Sequence, residues 1–134
     1  MSRGCIRKCA FCNDTFVSAK YRHRNADNIF DEIKLRLIKN RVNCFEFCDL
    51  IINGNLKELE RLCDCIIKEG IRISWSGQAV IRKDMSKGLL VKMEKSGCAG
   101  ITYGVESFSD NILRLMNKPY TYEDVQKVLQ LTIS

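Results

Sequence analysis

The stretch Cys44–Gly54, with the sequence CFEFCDLIING, has the composition of a mostly buried strand that ends in a turn. Aromatic and β-branched residues favour extended backbone over Cys44–Ile52, and the Asn-Gly pair after it favours a tight turn. Comparable strands are predicted at Ile71–Val80 and at about Gly100–Val105. The three segments begin near residues 44, 71 and 99, so a strand recurs about every 27 or 28 residues.

Helical periodicity fills the intervals between these strands. Each predicted helix has one apolar face, as Ile29, Ile33 and Leu37 provide in the first. Asn55 and Glu58 are predicted to form a capping box. Repeated strand–helix units give right-handed crossovers and a parallel sheet, so we predict an α/β chain with about three strands and four to five helices. The helices are predicted to begin at Asp27, Asn55, Ser86, Ser109 and Thr121.

The chain has 134 residues, of which 46% are hydrophobic and 28% charged. It is therefore long enough for one domain with a core and too short for two, and collagen-like and disordered classes are excluded. The longest apolar runs are a few residues, as at Leu50–Ile52, so no bilayer span is predicted. Met1–Gly4 lacks the layout of a secretory signal, and we expect a soluble, cytoplasmic protein.

Positive charge is concentrated at the start of the chain. Of the formal net charge of +6, residues 1–24 carry +5, from six Lys or Arg and one Asp. A nucleic-acid-binding patch is one explanation. Counter-charge for an anionic cofactor is another, and the three cysteines in the same region favour it.

These cysteines lie in Gly4–Cys12, GCIRKCAFC, which is a Cys-x3-Cys-x2-Cys triplet. Closely spaced thiols in a chain without an export signal indicate a metal or cluster site rather than disulfides. Iron–sulfur clusters usually have four Cys ligands, so a triplet would leave one iron open to a small molecule. Structural zinc is the alternative, with His23, the only histidine, as a fourth ligand. The second class of function is therefore a basic, zinc-binding nucleic-acid module.

The other cysteines are predicted to be packing residues or surface thiols. Cys44 and Cys48 repeat the Cys-x3-Cys spacing, but four residues along a strand separate them by about 13 Å. Cys63 and Cys65 lie two residues apart on a helix and point in different directions. Neither pair is placed to share one ion.

The cysteine triplet, with Phe11 before its last cysteine and the strand–helix repeat after it, resembles the radical S-adenosylmethionine (radical SAM) superfamily. The segments Ser74–Ala79, Gly104–Ser107 and Met116–Lys118 resemble the branch of that family that often carries an upstream cobalamin-binding domain. The resemblance covers essentially the whole chain. It implies a partial parallel (β/α) barrel of the radical SAM type, incomplete in this chain.

The resemblance implies an enzyme, with residues 1–134 as a single truncated core domain and residues 1–24 as its cluster-binding loop region. In the family, a [4Fe–4S] cluster binds S-adenosylmethionine at its open iron and cleaves it reductively to a 5′-deoxyadenosyl radical that abstracts hydrogen. The implied partners are a reduced flavodoxin or ferredoxin-type electron donor and, in a domain outside this chain, cobalamin. The sequence does not identify the substrate, and the segment alone is expected to turn over poorly. The implied cluster ligands are Cys5, Cys9 and Cys12.

The resemblance also implies contacts to S-adenosylmethionine at the carboxyl ends of the strands. Phe11 would lie near the adenine, Glu106 would bind the ribose, and Lys118 suits the methionine carboxylate. Gln78 offers a further polar contact. The family often has a Gly-Gly-Glu segment for the methionine amino group, and Asp49 stands in for it here. Glu106 and Lys118 also suit the dipoles of the helices they adjoin, so a structural role stays open for both.

Overall fold

The computed structural model describes residues 1–14 and 20–134. Helices and parallel strands alternate along these ranges, as the periodicity predicts. No helix in them is long and apolar enough to cross a membrane. The elements are, in chain order, β1 (Ser2–Arg3), β2 (Arg22–His23), α1 (Ala26–Asn40), β3 (Cys44–Phe47), α2 (Leu56–Lys68), β4 (Ser74–Ala79), α3 (Lys87–Lys95), β5 (Cys98–Tyr103), α4 (Asp110–Leu115) and α5 (Tyr122–Ile133).

Strands β3, β4 and β5 form a parallel three-stranded sheet in that order. Phe45 pairs with Trp75, and Gly77 pairs with Ile101. Because the strands are parallel, their carboxyl ends meet at one edge of the sheet. The predicted α/β class with a parallel sheet is confirmed, and over the described ranges the sheet is open rather than closed into a barrel.

A second, two-stranded sheet was not predicted. β1 and β2 pair antiparallel, with Ser2 opposite His23. Strands of two residues carry too little pattern to be recognised in a sequence. The pair closes the base of the cysteine loop within the predicted cluster-binding region 1–24, of which residues 15–19 lie outside the described ranges.

The helices cover one face of the parallel sheet. Along β4, Trp75, Gly77 and Ala79 are buried, and α1, α2 and α3 supply the apolar side chains that pack on this face. Trp75 is 1% exposed, and its indole Nε1 donates a hydrogen bond to the Ser96 carbonyl at 3.1 Å. The Phe47 ring meets the Trp75 ring edge-on at 5.6 Å, a geometry that adds about 1 kcal/mol to the burial of the two rings.

The opposite face of the sheet is open and polar. Ser74 and Gln78 of β4, Glu46 of β3 and Thr102 of β5 are exposed there. Their side chains alternate with the helix-facing ones because successive residues of a strand point to opposite faces. This face and the carboxyl edge beside it leave room for a ligand.

Several predicted boundaries differ from the structure. β4 begins at Ser74 rather than Ile71, and β5 covers Cys98–Tyr103 rather than about Gly100–Val105. The largest differences are in β3 and at the start of α1. β3 covers only Cys44–Phe47 and alternates between exposed and half-buried residues, whereas a mostly buried strand to Ile52 was predicted. β3 has one hydrogen-bonded neighbour in the described sheet, so only its helix-side residues are covered. Ile51 and Ile52 are buried, but in the loop after the strand. The cap of α1 is Asn25 rather than Asp27, because the Asn25 side chain accepts from the Asp27 N–H.

The predicted capping box of α2 is half formed. The Asn55 side chain accepts from the Glu58 N–H at 3.2 Å, as predicted. The Glu58 carboxylate accepts instead from the backbone N–H of Ala26 at 2.7 Å. Glu58 therefore satisfies a donor in the first turn of α1 and ties α1 to α2.

Candidate cofactor site

The cysteine loop lies at the carboxyl edge of the sheet and is held from two sides. Just beyond β4, the Ile81 carbonyl accepts a hydrogen bond from Arg7 Nη2 at 3.0 Å. At the end of α4, the Met116 carbonyl accepts from the N–H of Ala10 at 3.0 Å. These bonds hold the Arg7 side chain on one side of Cys9, the middle cysteine of the triplet, and the Ala10 backbone on the other.

The three cysteines of the loop present separate thiols. Cys9 is buried, Cys5 and Cys12 are partly exposed, and none of the chain's eight cysteines, all within the described ranges, is in a disulfide. Burial raises the pKa of the Cys5 thiol, and the charges of Cys9 and Cys12 raise it further. The backbone N–H of Arg7 donates to Cys5 Sγ at 3.4 Å, and this hydrogen bond lowers the pKa of Cys5.

This donor set fits a cluster better than a single ion. In the described part of the chain, no three His, Cys, Asp or Glu side chains converge closely enough to hold one metal ion. A [4Fe–4S] cluster does not require such convergence, because each thiolate can bind a different iron. Arg7 Nε is buried beside the loop with no hydrogen-bond partner among the same residues. This orphaned N–H is a donor suited to an anionic group such as a thiolate-bound cluster.

His23 is directed away from the triplet. Its Nδ1 lies 3.4 Å from the Arg24 carbonyl oxygen, and its Nε2 lies 3.0 Å from Nδ2 of Asn55. Both ring nitrogens therefore face neighbours just after β2 and at the cap of α2. The zinc alternative needed His23 as its fourth ligand, so this geometry gives it no support.

Three of the predicted contacts to S-adenosylmethionine come together around the Lys118 ammonium. Lys118 Nζ lies 5.4 Å from the ring centre of Phe11 and 3.5 Å from Oε1 of Glu106. It also lies 5.8 Å from the ring centre of Tyr120, so two aromatic faces stabilise the cation. We call these four residues the Lys118 group.

Only 4% of the Lys118 side chain is exposed. Burial lowers the pKa of Lys118, but the neighbouring Tyr120, Cys9 and Glu106 side chains outweigh burial and raise the pKa overall. A protonated lysine beside the cysteine loop provides positive charge where an anionic cluster or a carboxylate would lie.

Tyr120 was not predicted as a site residue. In the sequence, Pro119 is typical of a residue that follows a helix, and an aromatic residue after it carries no specific signal. In the structure, Tyr120 Oη donates to the Gly104 carbonyl at 3.0 Å. Lys118 Nζ donates to the same oxygen, also at 3.0 Å. The two side chains thus clamp the segment that follows β5.

Gln78 and Asp49 are placed differently from the Lys118 group. Gln78 is exposed on the open face of β4, opposite Thr102 of β5. Asp49 is 8% exposed, and its carboxylate accepts from the Ser2 hydroxyl at 2.7 Å and from the Ser2 backbone N–H. Its other oxygen lies 3.2 Å from the terminal ammonium of Met1. Asp49 therefore anchors the start of the cysteine loop.

The turn Asn53–Gly54 belongs to the segment found in place of the family's Gly-Gly-Glu. Arg82 Nη1 donates to the carbonyls of both turn residues, at 2.9 and 3.0 Å. The Tyr21 ring approaches Gly54 so closely that a Cβ would overlap its phenol oxygen, so any larger residue here would have to displace the Tyr21 side chain. Arg82 and Tyr21 were missed because both are distant from the turn in sequence.

A sequence model of the radical SAM superfamily matches residues 1–133. The chain therefore belongs to this family of enzymes, which use a [4Fe–4S] cluster and S-adenosylmethionine. The match covers the cysteine loop and the Lys118 group alike. The family predicted from the cysteine triplet and Phe11 is confirmed.

Two curated relatives illustrate how the chain compares with whole proteins. It is 27% identical over 121 residues to an uncharacterized methyltransferase of Pyrococcus horikoshii, covering 90% of this chain and 26% of that protein. It is 32% identical over 127 residues to the bacteriochlorophyllide d C-12(1)-methyltransferase of Chlorobaculum tepidum, covering 87% of this chain and 26% of the relative. The chain thus spans about a quarter of the length of these relatives.

A solved structure supports the fold independently. The radical S-adenosylmethionine methyltransferase TsrM from Kitasatospora setae, with cobalamin and a [4Fe–4S] cluster bound, superposes with a TM-score of 0.81 at 18% identity. The superposition covers 97% of this chain and 27% of TsrM. The partial radical SAM fold predicted from the sequence is confirmed.

Proposed function

We propose that residues 1–134 are the cofactor-binding core of a radical SAM enzyme, with residues 1–24 as its cluster-binding region. Cys5, Cys9 and Cys12 would bind the [4Fe–4S] cluster. The observation that carries this proposal is the cysteine loop, which is anchored to Ile81 and Met116 beside the buried ammonium of Lys118. When bound, the cluster supplies the electron that cleaves S-adenosylmethionine to the 5′-deoxyadenosyl radical used for hydrogen abstraction.

The residues around the loop would bind and orient S-adenosylmethionine. The Lys118 ammonium suits its methionine carboxylate, and the Phe11 ring, 54% exposed, offers a face for the adenine. The Glu106 carboxylate can accept hydrogen bonds from the ribose hydroxyls. Gln78, on the open face of β4, adds an amide that can donate or accept.

Asp49 is proposed as the contact to the methionine ammonium, in place of the family's Gly-Gly-Glu segment. Its Oδ1 also accepts from the Ser2 hydroxyl at 2.7 Å, so the same side chain anchors the start of the cysteine loop.

For the whole protein, we propose a reduced flavodoxin or ferredoxin-type electron donor, attracted by the +5 charge of residues 1–24. Cobalamin in a domain outside this chain is proposed from the likeness to TsrM, whose structure holds it. Methyl transfer is the outcome suggested by the names of both relatives.

The proposal is tested with protein reconstituted anaerobically with iron and sulfide and then reduced. Adding S-adenosylmethionine should change the paramagnetic resonance spectrum of the cluster, and 5′-deoxyadenosine should form and be detected by mass spectrometry. Glu106→Ala should weaken both responses at unchanged iron content, whereas Glu94→Ala, on the exposed side of α3, should not. One stoichiometric zinc without iron, or no response to S-adenosylmethionine, would contradict the proposal.

A further inference from the structure

We infer that Tyr120 is a positioning residue for S-adenosylmethionine, because its hydroxyl fixes the turn that carries Glu106. The inference rests on the proposed function, in which Glu106 binds the ribose. Tyr120 is 6% exposed, and its ring packs in the small core cluster formed with Ile81, Leu113 and Val125. A ring held in this way presents its hydroxyl at a fixed point.

The hydroxyl acts on the two peptide groups just before Glu106. Tyr120 Oη donates to the Gly104 carbonyl at 3.0 Å and lies 3.5 Å from the Val105 carbonyl oxygen. The Gly104 N–H donates to the Ala79 carbonyl at 3.1 Å, which extends the pairing of β4 and β5 by one residue. The Gly104 peptide is therefore held by the sheet on one side and by Tyr120 on the other.

Glu106 depends on this support because of its backbone. Its φ is +69°, in the left-handed region that side chains other than glycine rarely adopt. Such a residue keeps its conformation only where the surrounding contacts determine it. The Glu106 carboxylate also folds back over the turn, since a Cβ built on Gly104 would lie 3.0 Å from Oε1. The position of this carboxylate is thus set by the turn that Tyr120 holds.

Lys118 reinforces the turn but has a second task. It donates to the Gly104 carbonyl at 3.0 Å and pairs with Glu106 at 3.5 Å. The proposed function directs this ammonium toward the methionine carboxylate, so it would share its hydrogen bonds with the ligand. Tyr120 has no such competing partner in the proposal and is the better probe of the turn.

The test compares Tyr120→Phe with Tyr103→Phe in reconstituted protein. Both changes remove one hydroxyl, but that of Tyr103 pairs with Thr132 Oγ1 at 3.1 Å on the helix-covered side of the sheet. Losing one hydrogen bond to the turn should weaken S-adenosylmethionine binding about fivefold. Tyr103→Phe should bind as the wild type does, and iron content should be unchanged in both. Affinity is measured by calorimetry, and the thermal midpoint is recorded for each variant.

A double-mutant cycle separates positioning from general stability. If Tyr120 acts through Glu106, Tyr120→Phe should have little further effect on affinity in a Glu106→Gln background. Gly104→Ala, which crowds Glu106 Oε1 without touching the core, should reproduce the loss of affinity. Tyr120→Phe keeps the buried ring and removes only the hydroxyl, so it is expected to fold, and Gly104→Ala tests separately that displacing the Glu106 carboxylate weakens binding.

Two results would overturn the inference while leaving the proposed function intact. One is wild-type affinity in Tyr120→Phe alongside weakened binding in Glu106→Gln. The other is an equal loss in the Glu106→Gln and wild-type backgrounds, which would mean that Tyr120 acts independently of Glu106. Failure of the wild type itself to bind S-adenosylmethionine would overturn the proposed function and the inference with it.

Discussion

At the scale of single residues, Asn53 takes the place of a strand residue. Its side-chain Nδ2 donates to the Val80 carbonyl at 2.8 Å, and its Oδ1 accepts from the Val80 N–H at 3.0 Å. This pair imitates a backbone ladder beyond the end of β3. Asn53 is fully buried, so both bonds form away from water. The turn at residues 53–54 is thereby tied to the end of β4.

Asn53→Ala should destabilise the chain by about 2–3 kcal/mol, because it leaves the buried N–H and carbonyl of Val80 unpaired. Urea unfolding followed by circular dichroism measures the change. Asn111→Ala, at an exposed position of α4, is the matched control and should change stability by less than about 0.5 kcal/mol. Equal effects of the two substitutions would show that the Asn53 pair contributes little.

The Cys63 thiol should react more slowly with an alkylating reagent than the thiols of Cys44 and Cys48. It is fully buried, and burial raises its pKa to about 11, so almost none of it is thiolate near pH 8. In apo protein at this pH, the exposed Cys44 and Cys48 should be alkylated rapidly and Cys63 only after unfolding. Peptide mass spectrometry reports each site. Modification of Cys63 in the folded protein at the rate of Cys44 would refute its burial.

Sequence reasoning found the members of the Lys118 group that belong to motifs. Phe11 lies in the cysteine triplet, and Glu106 and Lys118 lie in segments that resemble the family. Tyr120 was not found, because its role comes from a hydrogen bond to a carbonyl 16 residues earlier. A carbonyl has no side chain to mark it in a sequence. The roles predicted for these residues stay predictions until ligand binding is measured.

At the scale of elements, the positions of helix starts were predicted more accurately than the burial of strands. The helices begin at the caps Asn55, Ser86, Ser109 and Thr121 as predicted, because capping involves only neighbours in sequence. Ser109, however, makes no side-chain cap bond. The extent and burial of β3 were wrong, because a strand's burial depends on which other strands and helices cover it. The Glu58 carboxylate accepts from an N–H of α1 instead of completing the cap of α2 for a similar reason, because the fold brings a partner that is distant in sequence next to it.

The cap of α5 should contribute to stability in a pH-dependent way. The backbone N–H of Thr121 lowers the pKa of Asp124 from its ordinary value of 3.8, and Lys83 lowers it further. A carboxylate with a lowered folded-state pKa stabilises the fold above its unfolded value, and this contribution is lost as the pH falls through the folded pKa.

The wild type should therefore lose more stability than Asp124→Asn between about pH 5 and pH 2. Urea midpoints at several pH values measure the difference. Arg82 lowers the pKa of Asp84, and Arg24 lowers the pKa of Glu32. Both carboxylates are present in the two proteins, so their effects on the pH dependence of stability cancel in the comparison. Glu123→Gln, in the same first turn, controls for loss of charge on the helix. Parallel pH profiles for wild type and Asp124→Asn would refute the role of the cap.

At the scale of the whole molecule, the site is assembled from segments far apart in sequence. Asn117 Nδ2 donates to the Lys8 carbonyl at 2.6 Å across 109 positions. Arg7 reaches Ile81 across 74 positions. The sequence predicted that strands would bring such segments to one edge, because parallel strands share their carboxyl ends. The sequence did not predict the particular hydrogen bonds, because these depend on the positions of β4, β5 and α4 relative to the cysteine loop in the folded chain.

The measurement that bears most directly on the proposed cluster is the iron and sulfide content of single-cysteine variants after anaerobic reconstitution. The wild type should hold about four iron and four sulfide per chain, with visible charge-transfer absorption. Cys5→Ala, Cys9→Ala and Cys12→Ala should each abolish cluster assembly. Cys44→Ala and Cys48→Ala, which change exposed thiols outside the loop, should retain it. Full iron and sulfide content in any of the first three variants would contradict the assignment of the triplet as the cluster ligands.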